Sequence, residues 1–283
     1  MKLYKSPLRY AGGKGNYIKN FIHLFPSLPV MGEGDGDKIK IIDMFCGGGS
    51  VALYLAQIGY KNIVMNDLDI NLYNFWDVLK NRCDEMIKKL IIIWERADIK
   101  SKESGQKLYN EMKENIKSEN KIDKAISYYI LNRIVFAGMT EITTFSSTAW
   151  EQNYFNIDRI NKLKKISDIL QGIEISNLDY KEIFKVYKGN DNVFYFLDPP
   201  YDIKKNYLYK NHEQFNHDEF IENLMGIDNK FILTYDCEEE KLNKLRGRYK
   251  VENQQYNYCL NHKKNEDNTL SRRKRIEYLI YSV

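Results

Sequence analysis

The sequence predicts an α/β chain: a mostly parallel sheet covered by helices, with a mostly helical lobe inserted into it. Three observations carry that expectation. Several short runs are β-branched and apolar throughout, as strands are when helices cover both faces of a sheet. A glycine triplet joins the first such run to a helix-like segment. Roughly a hundred residues then separate the second run from the third, where a βαβ unit takes about 30.

Taken in order, Ile39 to Phe45, Gly47-Gly48-Gly49, Ser50 to Ile58 and Asn62 to Asn66 read as strand, tight turn, helix and strand. Ile173 to Ser176, Val193 to Leu197 and Phe231 to Tyr235 continue the sheet, each followed by polar or helix-forming sequence. Ahead of the first strand, the glycine and acid cluster from Met31 to Lys38 reads as a loop that separates Pro7 to Phe25 from the sheet. Within the long gap, Asn71 to Ile93, Gly105 to Ile116 and Asp123 to Phe136 carry helical periodicity. Thr140 to Tyr154, rich in Thr, Ser and aromatics, reads as a hairpin or extended loop. The expected domains are therefore 1–71 with 171–283 for the sheet and 72–170 for the lobe.

With 283 residues the chain can bury a sizeable core without staples. Cys46, Cys83, Cys237 and Cys259 are scattered singly, which argues against a disulfide framework or a Cys-x-x-Cys metal site and fits a reducing cytoplasm. Met1 to Lys5 lacks the apolar run of a signal peptide, and no stretch of eighteen apolar residues occurs, so neither export nor membrane spanning is expected. His212 and His217 are five apart, and His23 and His262 are isolated, so no metal is expected either. A net charge of +4 is compatible with a polyanionic partner, although it is the small difference of many opposed charges.

Four segments could carry chemistry. In the first, Asp43 to Ser50, Gly47 and Gly49 let backbone approach a ligand at a strand end, although the spacing departs from G-x-G-x-x-G and a merely tight turn is the plain alternative. Asp67, about twenty residues on, can accept both ribose hydroxyl protons of an adenosine cofactor, or else cap the helix that starts near Ile70. In Asp198-Pro199-Pro200-Tyr201, the prolines remove two donors. The Asp198 carboxylate and the Pro199 carbonyl can each accept one proton of an exocyclic amine while Tyr201 stacks on its base; an ordinary turn is the alternative. Lastly, Pro7 to Lys14 fails as a P-loop, having Leu8 where a glycine is needed and Gly15 after Lys14, but its glycine turn could close over a cofactor.

In this order the segments resemble those of the Dam-type adenine-specific DNA methyltransferases. The likeness runs from Ser6 to the end: Pro-x-x-Arg-aromatic-Ala-Gly-Gly-Lys, Phe-x-Gly-x-Gly as Phe45, Gly47 and Gly49, the acid Asp67, an inserted lobe, Asp179-Tyr180 and Asp-Pro-Pro-Tyr. The resemblance implies a Rossmann-like S-adenosylmethionine-dependent sheet of seven strands, the last antiparallel and matched by Arg275 to Tyr281, with a helical target-recognition lobe. It also implies that Tyr10, Lys14 and Phe45 contact S-adenosylmethionine, Asp67 its ribose and the Asp179-Tyr180 pair its adenine, with Asp198 between cofactor and a flipped base. Leu131-Asn132-Arg133 with Gly138 resembles the family's Asn-Arg helix, which makes Arg133 the candidate for contact with double-stranded DNA, by phosphate or by guanine; a solvated or salt-bridged arginine is the plain alternative. The segment Met139 to Trp150 lacks the arginine and asparagine expected for reading GATC. The basic run Arg272 to Arg275 is a DNA contact or a solvated loop. Two alternatives remain: a methyltransferase acting on an RNA base or protein amide, or a catalytically silent DNA-binding module. A partner restriction nuclease and the oligomeric state are left open.

Overall fold

In the computed structural model, residues 3–10, 12–27, 39–140, 144–201, 215–264 and 270–282 are described, together with their side chains except those of 255–276. The cluster 31–38, residues 141–143 and His212 lie outside that set, as do the side chains of Cys259, His262 and Arg272 to Arg275.

Seven strands, β1 (Lys40–Asp43), β2 (Ile63–Asn66), β3 (Ile173–Ser176), β4 (Val193–Leu197), β5 (Lys230–Tyr235), β6 (Lys250–Lys264) and β7 (Leu270–Tyr281), form a sheet in the order β3-β2-β1-β4-β5-β7-β6. Pairs β2 and β3, β1 and β4, and β4 and β5 are parallel, whereas β7 is antiparallel to β5 and to β6. Every residue of β2 and β4 is buried, which is why both read as apolar runs up to Asn66, the polar last residue of β2. Chain order reverses between β1 and β4, and ligands of such sheets bind outside the carboxyl ends of the strands at that reversal. The fold is the Rossmann-like α/β arrangement expected from the sequence.

β6 was not anticipated. Polar residues, mostly Asn, Gln and Lys, outnumber apolar ones in it, and as the edge strand it needs no continuous apolar run. Asn71 to Ile93, expected as one helix, is two: Ile70–Asn81 and Cys83–Arg96, interrupted at Arg82 with φ −134° and ψ 33°. Both halves bury an apolar stripe, so the periodicity hid the break. Where a hairpin or extended loop was expected, the described part of Thr140 to Tyr154 holds an isolated antiparallel bridge, Phe145 to Val135, and a short helix, Ser147–Glu151, begun by Ser146 accepting from the Ala149 amide.

The chain forms two compact units, Met1–Gly15 with Cys46–Leu178 and Asn16–Phe45 with Asp179–Val283. The first contains β2, β3 and the whole helical stretch 72–170. In its core, Ile70–Asn81 packs on Lys121–Ile134, with the Phe75 and Tyr129 rings stacked at 6.0 Å. The second contains β1 and β4 to β7. There, Phe21 stacks on Phe196 at 5.7 Å and Phe25 packs on Phe194 at 5.4 Å, each buried ring contributing about 1.5–3 kcal/mol. Among the described residues, no helix is long and apolar enough to cross a membrane.

Candidate active site

In the second unit, β1 and β4 run in parallel with Asp43 level with Phe196, so the turn that carries Phe45 and the segment that begins at Asp198 leave the sheet at the same edge. Asp198 follows the last buried residue of β4, and Pro199 and Pro200 stop the ladder there because neither has an amide proton to give. The Asp198 Oδ1 atom accepts from Thr234 Oγ1 at 2.7 Å and from the Tyr201 hydroxyl at 3.2 Å. Tyr201 itself is largely buried. Half-buried Phe45 packs against Tyr180, Phe215 and Phe220, with ring centres 5.8–6.0 Å away. Burial pushes the Tyr180 hydroxyl up to about 12. Asp179 caps the helix Tyr180–Val186 by accepting from the Lys181 amide at 2.8 Å.

The first unit holds the glycine loop and Asp67. Asp67 receives the Gly47 amide on Oδ2 at 2.8 Å and the Asp69 amide on Oδ1 at 3.0 Å. Burial nevertheless pushes its carboxyl up to about 6, with the backbone donors pulling the other way. The helix cap at Ile70 is Asp69, which accepts from Asn71 and Leu72, so the capping alternative for Asp67 falls away. Asn66 ties the end of β2 to Leu178 by bonds of 2.9 Å in both directions. Leu68, Ile70 and Leu178 are exposed around this acid.

Tyr10 lies over the loop: a Cβ at Gly47 would stand 2.5 Å from its Cε1, and one at Gly48 would stand 2.8 Å from its Cβ. Ser6 donates to the Gly48 carbonyl and Trp76 Nε1 to the Gly47 carbonyl. Gly49 has φ 66°, and a Cβ there would meet Met65 Cε at 2.6 Å and Trp76 Cζ2 at 2.8 Å. Lys14 is almost wholly buried and donates to the Gly12 carbonyl at 3.0 Å.

Also in the first unit, Asn132 acts as a piece of strand for Arg9. Its Oδ1 accepts the Arg9 amide at 2.8 Å, and its Nδ2 donates to the carbonyls of Arg9 at 2.8 Å and Gly138 at 3.0 Å. Gly138, at φ 78°, could carry no side chain: a Cβ would lie 2.0 Å from the Arg9 carbonyl oxygen. The Arg9 guanidinium donates to the carbonyls of Arg133 and Val135 and lies 4.3 Å from the Tyr154 ring centre, with Arg159 5.6 Å from the same centre.

Arg133, expected at the DNA surface, is only 3% exposed and 5.4 Å from the Tyr129 ring centre. The α-helix carries it inward, and Arg9 and Arg159 are the guanidiniums of this group that reach solvent. Burial lowers the pKa of Arg9 and Arg133, and the charge of Arg159 lowers each further; among the described residues, the groups that offset this are tyrosines. Sequence reasoning missed Thr234, Arg9, Asn132 and Arg159. Thr234 stands inside β5, one residue before its end, so the rule that marks the residue after a strand passes it over, and the Asn-Arg pair drew attention to Arg133 rather than to Asn132. Among the described residues, no three His, Cys, Asp or Glu side chains gather as a metal site.

Residues 10–258 match the family described as D12 class N6 adenine-specific DNA methyltransferase. The chain is 25% identical over 202 residues to the Type II methyltransferase M.MjaIII of Methanocaldococcus jannaschii, covering 69% of this chain and 68% of that protein. It is 25% identical over 222 residues to a Haemophilus influenzae protein with a provisional methyltransferase assignment, covering 77% of this chain and 71% of the relative.

Proposed function

The chain belongs to the D12 class of N6 adenine-specific DNA methyltransferases and methylates adenine in DNA, and from that premise we propose how its residues divide the reaction. The donor in this reading is S-adenosylmethionine. The donor set of the first unit fits it: a carboxylate at the end of β2 suits two ribose hydroxyls, the side-chain-free loop at Gly47 and Gly49 suits a closely held chain, and exposed Leu68, Ile70 and Leu178 suit an apolar ring face. When bound, it supplies a sulfonium methyl group open to attack by a nitrogen lone pair.

Asp67 holds the ribose, while Tyr10, Lys14, Phe45, Gly47 and Gly49 hold the methionine portion. Asp179 and Tyr180 hold the adenine of the donor. The target adenine leaves the duplex, because its amine cannot be reached inside the base stack. Asp198 and the Pro199 carbonyl accept the two amine hydrogens and so hold the nitrogen with its lone pair directed outward. Transfer would form the C–N bond as the donor's S–CH3 bond breaks to leave a neutral thioether, and Asp198 is placed to receive the proton that the cationic nitrogen would then shed. Tyr201 presents its ring to the base. Positioning and electrostatics supply most of the acceleration. The helical stretch 72–170 faces DNA with Arg159 at its surface and Arg9 bonded to its Arg133 and Val135 carbonyls beside it, and buried Arg133 adds its charge from behind them.

The observation that carries this reading is Asp198, held at the carboxyl end of β4 by two donors and followed by two prolines. Labelled methyl transfer to DNA, RNA and protein tests it. DNA alone should be labelled, and Asp198→Ala should be slower by at least ~10- to 100-fold, the worth of one charged hydrogen bond. A wild-type rate in that variant removes Asp198 from the chemistry.

A further inference from the structure

We propose that Thr234 is a positioning residue for Asp198, its hydroxyl setting the plane in which the carboxylate meets the adenine amine; this rests on the reading of Asp198 as the amine's acceptor. Parallel pairing sets Leu197 of β4 level with Leu233 of β5, so residues 198 and 234 follow side by side. Thr234 is fully buried. Its Oγ1 lies 2.7 Å from Asp198 Oδ1 and 3.4 Å from the Leu197 carbonyl. One hydroxyl has one proton, and the shorter, charge-assisted contact takes it.

The Tyr201 hydroxyl reaches that same oxygen. Two donors converging on Oδ1 fix the torsion about the Cβ–Cγ bond, and with it the direction of Oδ2, before any substrate arrives. If Thr234 served only to fill space in β5, valine would fill it equally well and leave no hydroxyl to desolvate. A buried hydroxyl is kept here, and its bond goes to the reacting carboxylate.

The test compares Thr234→Val, Thr234→Ser, Tyr201→Phe, the Thr234→Val/Tyr201→Phe pair and Asp198→Ala in the full chain. The readouts are kcat, KM for DNA, calorimetric Kd for S-adenosylmethionine, and Tm. Valine should lower kcat about 10- to 100-fold, the worth of one hydrogen bond to a charge. KM and Kd should stay within about threefold, and serine should restore kcat to within about threefold, because only the hydroxyl matters. The double variant should lose less than the product of the two single losses, since both donors act on one oxygen.

A wild-type kcat with valine overturns the proposal, as does serine as slow as valine at unchanged Tm, or a loss confined to KM. Should the valine variant not fold, Thr234→Cys, close in size and a weak donor, takes its place with the same expectation. Wild-type turnover by Asp198→Ala overturns the reading of Asp198 itself, whereas a silent Asp198→Ala beside an unimpaired Thr234→Val overturns only the role of Thr234.

Discussion

Burial holds the Asp67 carboxyl near 6, against ~3.9 for an unperturbed aspartate. Between those values the folded chain keeps a proton that the unfolded chain has released. Stability contributed by this group therefore declines as pH rises through that window, and the cost is fully present above about 6. Thermal melts of Asp67→Asn should show its advantage over the parent opening across the same window. Donor binding has the opposite dependence, because ribose hydroxyls need the ionised carboxylate. The Kd for S-adenosylmethionine should rise about tenfold per pH unit below about 6 in the parent and stay flat in Asp67→Asn; a flat calorimetric profile in the parent would detach Asp67 from the ribose. Gly49 gives a second residue-scale expectation. Alanine there combines a left-handed backbone with clashes against Met65 and Trp76, and should cost about 2–4 kcal/mol in urea denaturation.

At the end of the Lys121–Ile134 helix, the Asn132 side chain ties the backbone of Arg9 and Gly138 together. Asn132 is fully buried, and removing its carboxamide leaves the Arg9 amide and two carbonyls without those bonds. Asn132→Ala should cost about 2–4 kcal/mol and speed amide exchange at Arg9, whereas unchanged exchange there would mean that other contacts hold the segment. This element also marks where the sequence stops being legible. β4 was readable to the residue because an apolar run is bounded by Asn190-Asp191 and by two prolines. Asp67 and Asp198 were readable because each directly follows such a run. Thr234 and Asn132 were not, because their partners lie 36 and 123 positions away and no local pattern records such a pairing. The break at Arg82 and the polar edge strand β6 escaped for the opposite reason: local patterns continued across the first and were outweighed by polar residues in the second.

Over the whole molecule, 43 basic side chains stand against 39 acidic ones, so attraction to a phosphate backbone has to come from local groupings rather than from net charge. Arg9, Arg133 and Arg159 form one such grouping. Arg159→Ala should weaken DNA binding and reduce the slope of log affinity against log salt by about 1, measured by fluorescence anisotropy; an unchanged slope would take Arg159 out of the interface. Trp76, with its N–H bonded to the Gly47 carbonyl at 3.2 Å, has a further use. Indole emission responds to that hydrogen bond, so the loop carries its own optical label. With Trp94 and Trp150 replaced by phenylalanine, the remaining emission comes from a ring that touches the glycine turn and nothing in solvent, and its saturable change would report donor occupancy before a single methyl group moves.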